Sequence, residues 1–341
     1  MYRHFCIPAA QARGRDTWPV SYRLPAPGSG DRATLTLGDR SLQVVPGEAG
    51  EGLAYEHTLY TLIGRVRSHF LVHAGAVAWR GQGLILVADA ANGKTTLVLE
   101  LLQRGFSFLS DEMGALSRAD GRLHAFPRAL RLRPDTLARV GRPMPPNTRH
   151  WLGKLLVDID DLAPGQRIDS AHLAHVIFLS DAADALPPEA GELLIQLERA
   201  DETLLDELRR LPEVVAVEIV RPGDYPLLKI DTPHRMPALT RVEQLCQVAG
   251  IQVIDVIKRA ETPASFAGPA ALQPLARSTA VLELLRRFQG GHHSALLRQD
   301  FGGQPTRLFH AVSQLIGGAP CHRLTVGALP DMADLVQGLL A

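Results

Sequence analysis

Apolar and polar positions along the chain fall into short runs whose period changes from stretch to stretch. Leu53–His69 has apolar residues at helical spacing (Leu59, Leu62, Ile63, Val66) and predicts a helix. Ala74–Trp79 and Leu84–Val87 are β-rich runs around the turn-like Arg80-Gly81-Gln82-Gly83. Leu97, Leu101 and Leu102 predict a helix that closes at Arg104-Gly105, and a buried strand, Phe106–Leu109, follows. Met113–Ser117 and Leu123–Ala125 read as a hairpin across Ala119-Asp120-Gly121. Further strands are expected at Leu155–Ile159, His175–Ser180, Val214–Val220, Tyr225–Ile230, Ile251–Ile257 and Cys321–Val326. Helices are expected at Leu239–Ala249, Thr279–Phe288, Pro305–Ile316 and Met332–Leu340, and Leu193–Leu211 reads as one amphipathic stretch. Near the start, Thr34–Leu37 and Ser41–Val45 alternate around Gly38-Asp39-Arg40, a hairpin expected to lie as edge strands on the main sheet. Pro143–Thr148 reads as a loop and Ala260–Pro274 as a linker. Strands alternating with helices argue for an α/β fold.

Composition narrows the classes. The chain has 341 residues, 46% of them hydrophobic and 21% charged, which calls for a packed core. Lys plus Arg and Asp plus Glu are 36 each, so net charge gives no argument for a nucleic-acid or membrane partner. Cys6, Cys246 and Cys321 lack metal or redox spacing. No apolar run reaches membrane-spanning length and no signal pattern opens the chain, so the expectation is a cytoplasmic protein. The His-rich Gly290-Gly291-His292-His293 has no partnering Cys or Asp at ligand spacing and reads as a loop.

The candidate chemistry sits between two strands. Ala88-Asp89-Ala90-Ala91-Asn92-Gly93-Lys94-Thr95 follows a strand and enters a helix. It matches the phosphate-loop pattern G-x-x-x-x-G-K-[ST] except at Ala88, where the pattern has glycine. Gly93 lets the backbone curl its amides around an anion. The helix start adds a positive dipole end. Lys94 supplies a mobile cation, and Thr95, with Thr96 behind it, offers a hydroxyl to Mg²⁺. Asp111 and Glu112 end the next strand, where a carboxylate can hold metal or accept a proton. Arg128, Arg131 and Arg133 alternate with apolar residues, as strand neighbours sharing a face would, and they face either phosphate or solvent. Lys154, before its strand, is a surface lysine with a weaker claim on phosphate.

The stretch HAGAV, ANGKTT, RGFSFLSDE resembles the bacterial HPr kinase/phosphorylase family, and more closely its shorter HPr-kinase-related members. Phe126-Pro127-Arg128 and the terminal CHRLTVGALPDMADLV are similar to that family too. The resemblance covers residues 70–135 and fades beyond them. It implies a P-loop kinase core of the HPr kinase, or phosphoenolpyruvate-carboxykinase-like, type. Around that core (69–260) the expected parts are a small N-terminal β-containing segment (1–68) and a C-terminal helical or α+β extension (261–341). It further implies ATP and Mg²⁺ as cofactors, Asp111 as the base that takes a proton from a serine-type hydroxyl, His73 as its neighbour, and Arg128 near phosphate. Metal would fall to Thr95, Asp111 and Glu112, the last replacing the family's second aspartate. The acceptor would be a protein, peptide or small molecule encoded nearby, and a homo-oligomer is compatible with the family. The downstream glycine-rich signature of the full HPr enzyme is absent, so phosphorylase activity is not implied. Two other readings stay open on the residues alone: an NTP-binding regulatory or scaffold module without turnover, and an α/β protein whose Gly-Lys-Thr is accidental.

Overall fold

A computed structural model describes residues 19–26, 31–44, 48–88, 92–151, 154–180, 191–197, 199–221, 226–251, 253–258, 266–289, 294–302 and 304–340. It is a mixed α/β structure that divides into two compact units. One unit holds residues 1–43, 58–182 and 263–341, and the other holds 44–57 and 183–262. This grouping differs from the three segments read off the sequence. Residues 263–341 build the same unit as the loop around Gly93, and most of 183–260 stands in a unit of its own.

In the first unit, β1 (Val20–Arg23), β2 (Ala33–Leu37) and β3 (Arg40–Val44) form a separate three-stranded sheet. The expected hairpin is there, but it is not an edge of the main sheet. The helix α1 (Glu48–Arg65) begins earlier and ends earlier than its periodicity suggested.

The main sheet begins with β4 (His69–Trp79) and β5 (Gln82–Val87), an antiparallel pair joined by Arg80-Gly81. Both turn residues have positive φ, 50° and 82°, the backbone a tight two-residue hairpin requires. The chain then runs through α2 (Lys94–Gln103), β6 (Ser107–Ser110), β7 (Met113–Ser117) and β8 (Arg122–His124). β9 (Leu130–Leu132), β10 (Arg149–Trp151) and β11 (Lys154–Val157) form a small antiparallel sheet, with α3 (Thr136–Arg139) between the first two. Ile159, expected in that last strand, instead starts the short helix α4 (Ile159–Leu162), because Asp158 caps it by accepting from Asp160 N.

β12 (Ser170–Ser180) is parallel to β5. Its first three residues also pair with β8, so β12, β5, β4, β7 and β8 form a closed circuit of pairings. β6 joins β4, and β17 (Ala271–Pro274) and β18 (Cys321–Thr325) complete an eight-stranded sheet. β17 occupies the end of the expected linker; the rest of that segment's start lies outside the described residues. Two apolar clusters cover the two faces. One contains Val77, Leu84, Leu86 and the buried residues of α2. The other contains Phe70, Ile85 and Val281.

The second unit contains β13 (Gly191–Leu197), α5 (Glu202–Arg209), β14 (Ala216–Arg221), β15 (Leu227–Thr232), α6 (Arg235–Val248) and β16 (Val253–Lys258). Its sheet order is β14-β15-β13-β16, and all three pairings are antiparallel. This is the βαββαβ arrangement of a split βαβ fold. The stretch Leu193–Leu211 is a strand and then a helix. Gly290–His293 lies outside the described residues.

Candidate functional site

The site grows from one edge of β4. Ala78 pairs with Ser107, Val77 with Phe108, and Ala76 with Ser110. Leu109 is therefore an extra residue, a β-bulge two residues before the first carboxylate. Pairing resumes with His73 opposite Met113. Asp111 and Glu112 thus span Gly75 and Ala74, and Ala74 N donates to the Glu112 carbonyl at 3.1 Å. The bulge and the bend lift the two acids out of the regular ladder while β4 holds both flanks.

His73, Gly75 and Val77 share a face of β4 by alternation. Val77 packs in the same cluster as Leu97, Val98 and Leu101, so α2 lies on that face. Gly75 makes room for it. A Cβ there would come 2.8 Å from Val98 Cγ2 and 3.3 Å from Lys94 Cγ. Gly93 caps α2 with φ 78° and ψ 5°, a left-handed conformation that suits glycine. The first backbone bond of α2 runs from Leu97 N to Gly93 O, 2.9 Å, and the amides before it have no intrahelical acceptor. Ala88 is buried where β5 ends, Asn92, Gly93 and Thr95 are half-buried, and Thr96 is buried. Asp89, Ala90 and Ala91 lie outside the described residues.

Lys94 is 7% exposed, and its Nζ lies 2.7 Å from His73 Nε2. A protonated lysine can only donate, so His73 accepts through Nε2 and carries its proton on Nδ1. The His73 backbone is fixed as well, its N donating to the Arg287 carbonyl at 2.8 Å.

Asp111 is 3% exposed, and its Oδ1 is buried with no hydrogen-bond partner among the described residues. Burial first, then the charge of Glu112, push its carboxyl well above the usual range, against the pull of Arg128 and Lys94. Glu112 goes the other way. Burial opposes its charge, but the neighbouring cations, Arg128 foremost and then Lys94 and Arg131, outweigh it and hold the carboxyl low. Arg128, 3% exposed, stands 3.4 Å from Glu112 Oε2. Two adjacent carboxyls with divergent affinities for a proton make one a proton acceptor and the other a fixed anion.

The structure brings together His73, Lys94, Asp111, Glu112 and Arg128. It separates the three alternating arginines: Arg128 is buried ahead of β9, Arg131 reaches Glu112 electrostatically, and Arg133 is exposed. The expectation that they share a strand face is not met, because β9 runs only from Leu130 to Leu132 and of the three only Arg131 lies in it. Gly75 and the bulge at Leu109 were missed. The HAGAV context held the first as a small residue between strand positions, and nothing in the sequence marked the second. Among the described residues, no three His, Cys, Asp or Glu side chains gather to hold a metal by themselves. The carboxylate oxygens of Asp111 and Glu112 are hard donors of the kind Mg²⁺ takes. A groove of about 930 Å³ opens at the other end of β5, beside Gln82, His172 and His175, and its lining includes none of these residues.

No family model matches the chain. No curated protein matches it. Among solved structures, the Hpr(Ser) kinase/phosphatase from Coxiella burnetii is similar over 36% of this chain and 75% of that chain, at 18% identity and a TM-score of 0.23. A likeness of that size settles neither fold nor activity. Among the described residues, no helix is long and apolar enough to cross a membrane.

Proposed function

We propose that the chain is an ATP- and Mg²⁺-dependent kinase of the HPr-kinase-like P-loop type, transferring a phosphoryl group to a serine-type hydroxyl of a protein, peptide or small molecule. The observation that carries this reading is the meeting of Lys94, from the helix after the glycine loop, with the Asp111–Glu112 pair. Lys94 acts electrostatically on both carboxyls. Oδ1 of Asp111 is buried with no hydrogen-bond partner among the described residues, which suits an atom that accepts a proton from a bound hydroxyl.

When bound, ATP supplies the γ-phosphoryl group and Mg²⁺ neutralises its charge. The left-handed Gly93 and the α2 amides receive phosphate oxygens. Lys94 adds a positive charge toward the outer phosphates, and its link to His73 holds the ammonium in place beforehand. Thr95 and a carboxylate of the pair would hold the metal. Asp111 takes the proton of the acceptor hydroxyl, a role its raised proton affinity suits. Glu112, kept ionised by Arg128, maintains the negative charge that makes Asp111 basic. Phosphoryl transfer asks mainly for positioning and charge compensation, and these residues supply both.

The test is incubation with γ-labelled ATP and the protein products of neighbouring genes. Lys94→Met should abolish nucleotide binding. Asp111→Asn should keep ATP affinity and lose transfer by roughly a hundredfold or more. Full transfer by Asp111→Asn overturns the assignment of the base.

A further inference from the structure

Ser110 ends β6 and is fully buried. Its hydroxyl oxygen accepts two backbone hydrogen bonds, from Met113 N at 2.9 Å and from Glu112 N at 3.3 Å. Ser110 pairs with Ala76 of β4, and the Glu112 carbonyl accepts from Ala74 N. The N–H groups of Glu112 and Met113 and the carbonyl of Glu112 are thus all taken within the fold. Asp111 stands in the middle of this closed turn, and its Oδ1 has no hydrogen-bond partner among the described residues.

A short polar side chain readily accepts from the backbone N–H two residues further on, in the Asx turn of aspartate and the equivalent turn of serine. Two side chains compete for that role here. Asp111 could accept from Met113 N. Ser110 could accept from Glu112 N, and from Met113 N one residue beyond. Serine holds both amides. A carboxylate that captured either one would fold back onto its own backbone and satisfy Oδ1 there. With the serine hydroxyl in place, Oδ1 stays without a partner. An unsatisfied buried acceptor costs free energy, and this one is kept where the proposed reaction needs a proton acceptor. Ser110 also follows the bulge at Leu109 directly, so it sets the course of the chain just where the ladder on β4 is interrupted.

We infer that Ser110 is a positioning residue for Asp111: by holding the amides of Glu112 and Met113, it keeps the carboxylate from folding back and leaves Oδ1 open to the hydroxyl that gives up its proton. The inference rests on the kinase reading of the site. It concerns a side chain that touches neither nucleotide nor acceptor and acts only through the turn.

The test measures release of inorganic phosphate from ATP by the full chain, with water as the acceptor, beside crystal structures of parent and variant. Ser110→Ala should lower kcat roughly tenfold or more and leave KM for ATP within about twofold. Ser110→Thr, which restores the oxygen, should recover most of the lost kcat. The buried site leaves little room for an added methyl group, so Ser110→Cys is the second replacement. Its sulfur is a weaker acceptor and should place kcat between the parent and the alanine variant. In the crystal structure of Ser110→Ala, Asp111 Oδ1 should lie within hydrogen-bond distance of Met113 N or Glu112 N. An alanine variant with parental kcat, or one whose KM for ATP rises as kcat falls, overturns the inference. So does an Asp111 carboxylate that keeps its place in that crystal structure while both amides go unpaired. Failure of the parent chain to bind a fluorescent ATP analogue would instead sink the kinase reading, and the crystal structure would still decide whether Ser110 directs Asp111.

Discussion

Lys94 Nζ is 2.7 Å from Nε2 of His73, so the ammonium of the glycine loop is already held by a side chain from the neighbouring strand. The bond requires an acceptor on residue 73, and a glutamine amide oxygen can replace the imidazole nitrogen. His73→Gln should therefore keep ATP affinity within about threefold, whereas His73→Leu should weaken it roughly tenfold through lost preorganisation. Titration of both variants with a fluorescent ATP analogue decides this. Equal loss in the two would mean that His73 acts by some property other than accepting that hydrogen bond.

Arg128 lowers the proton affinity of both carboxyls, and it is buried 3.4 Å from Glu112. Removing its charge leaves Asp111 held as an anion by fewer cations. Arg128→Met should shift the rising limb of the pH–kcat/KM profile, expected near the Asp111 value of about 7, to higher pH by roughly one unit. Loss of that cation beside the half-buried Glu112 should also lower stability, seen in urea melts. An unmoved profile would show that Arg128 is structural and not an electrostatic control on the base.

Gly75 sits under α2, and a methyl group there would meet Val98 Cγ2 at 2.8 Å, Lys94 Cγ at 3.3 Å and Leu86 Cβ at 3.7 Å. Gly75→Ala should destabilise the chain by about 1–3 kcal/mol and reduce ATP affinity, since the helix that carries Lys94 must shift. Val98→Ala removes the closest atom. In the double variant the two costs should sum to less than the single costs added, and ATP affinity should recover in part. Strict additivity in a thermal-melt cycle would contradict the packing described.

Much of this region was legible because local chemistry and tertiary context agree. Arg80-Gly81 supplies the turn, the glycine at 93 takes the left-handed cap, and Leu97, Leu101 and Leu102 bury one side of α2. The second unit was less legible for a physical reason. β13 ends at Leu197 and α5 starts at Glu202 without glycine or proline between them, so the apolar residues of strand and helix run together. The available signal was Asp201, whose side chain accepts from Leu204 N at 2.9 Å and caps the helix. At the site, residue types were readable but their partners were not. The separation of Arg128 from Arg131 and Arg133 depends on where β9 begins, and the tilt of Asp111 depends on a bulge opposite Ala76 and Val77. Neither leaves a mark on one strand alone.

The charge of Asp111 should cost the fold stability, and the sign can be worked out. An ordinary aspartate titrates at 3.8, whereas in this site burial and Glu112 raise the value to about 7. Between those values the folded chain retains a proton that the unfolded chain has released. Stability must then fall as pH rises from about 4 to about 7 and stay reduced above that. An asparagine at this position has nearly the same shape and no charge to bury. Asp111→Asn should accordingly stabilise the protein at about pH 8, on the order of 2 kcal/mol, with the gain shrinking toward zero near pH 4. The same substitution should remove phosphoryl transfer, so one residue would trade stability for chemistry. Melting curves collected across that pH range check it. A gain that does not vary with pH would mean that the charge on Asp111 is already compensated, and its claim to be a poised base would go with it.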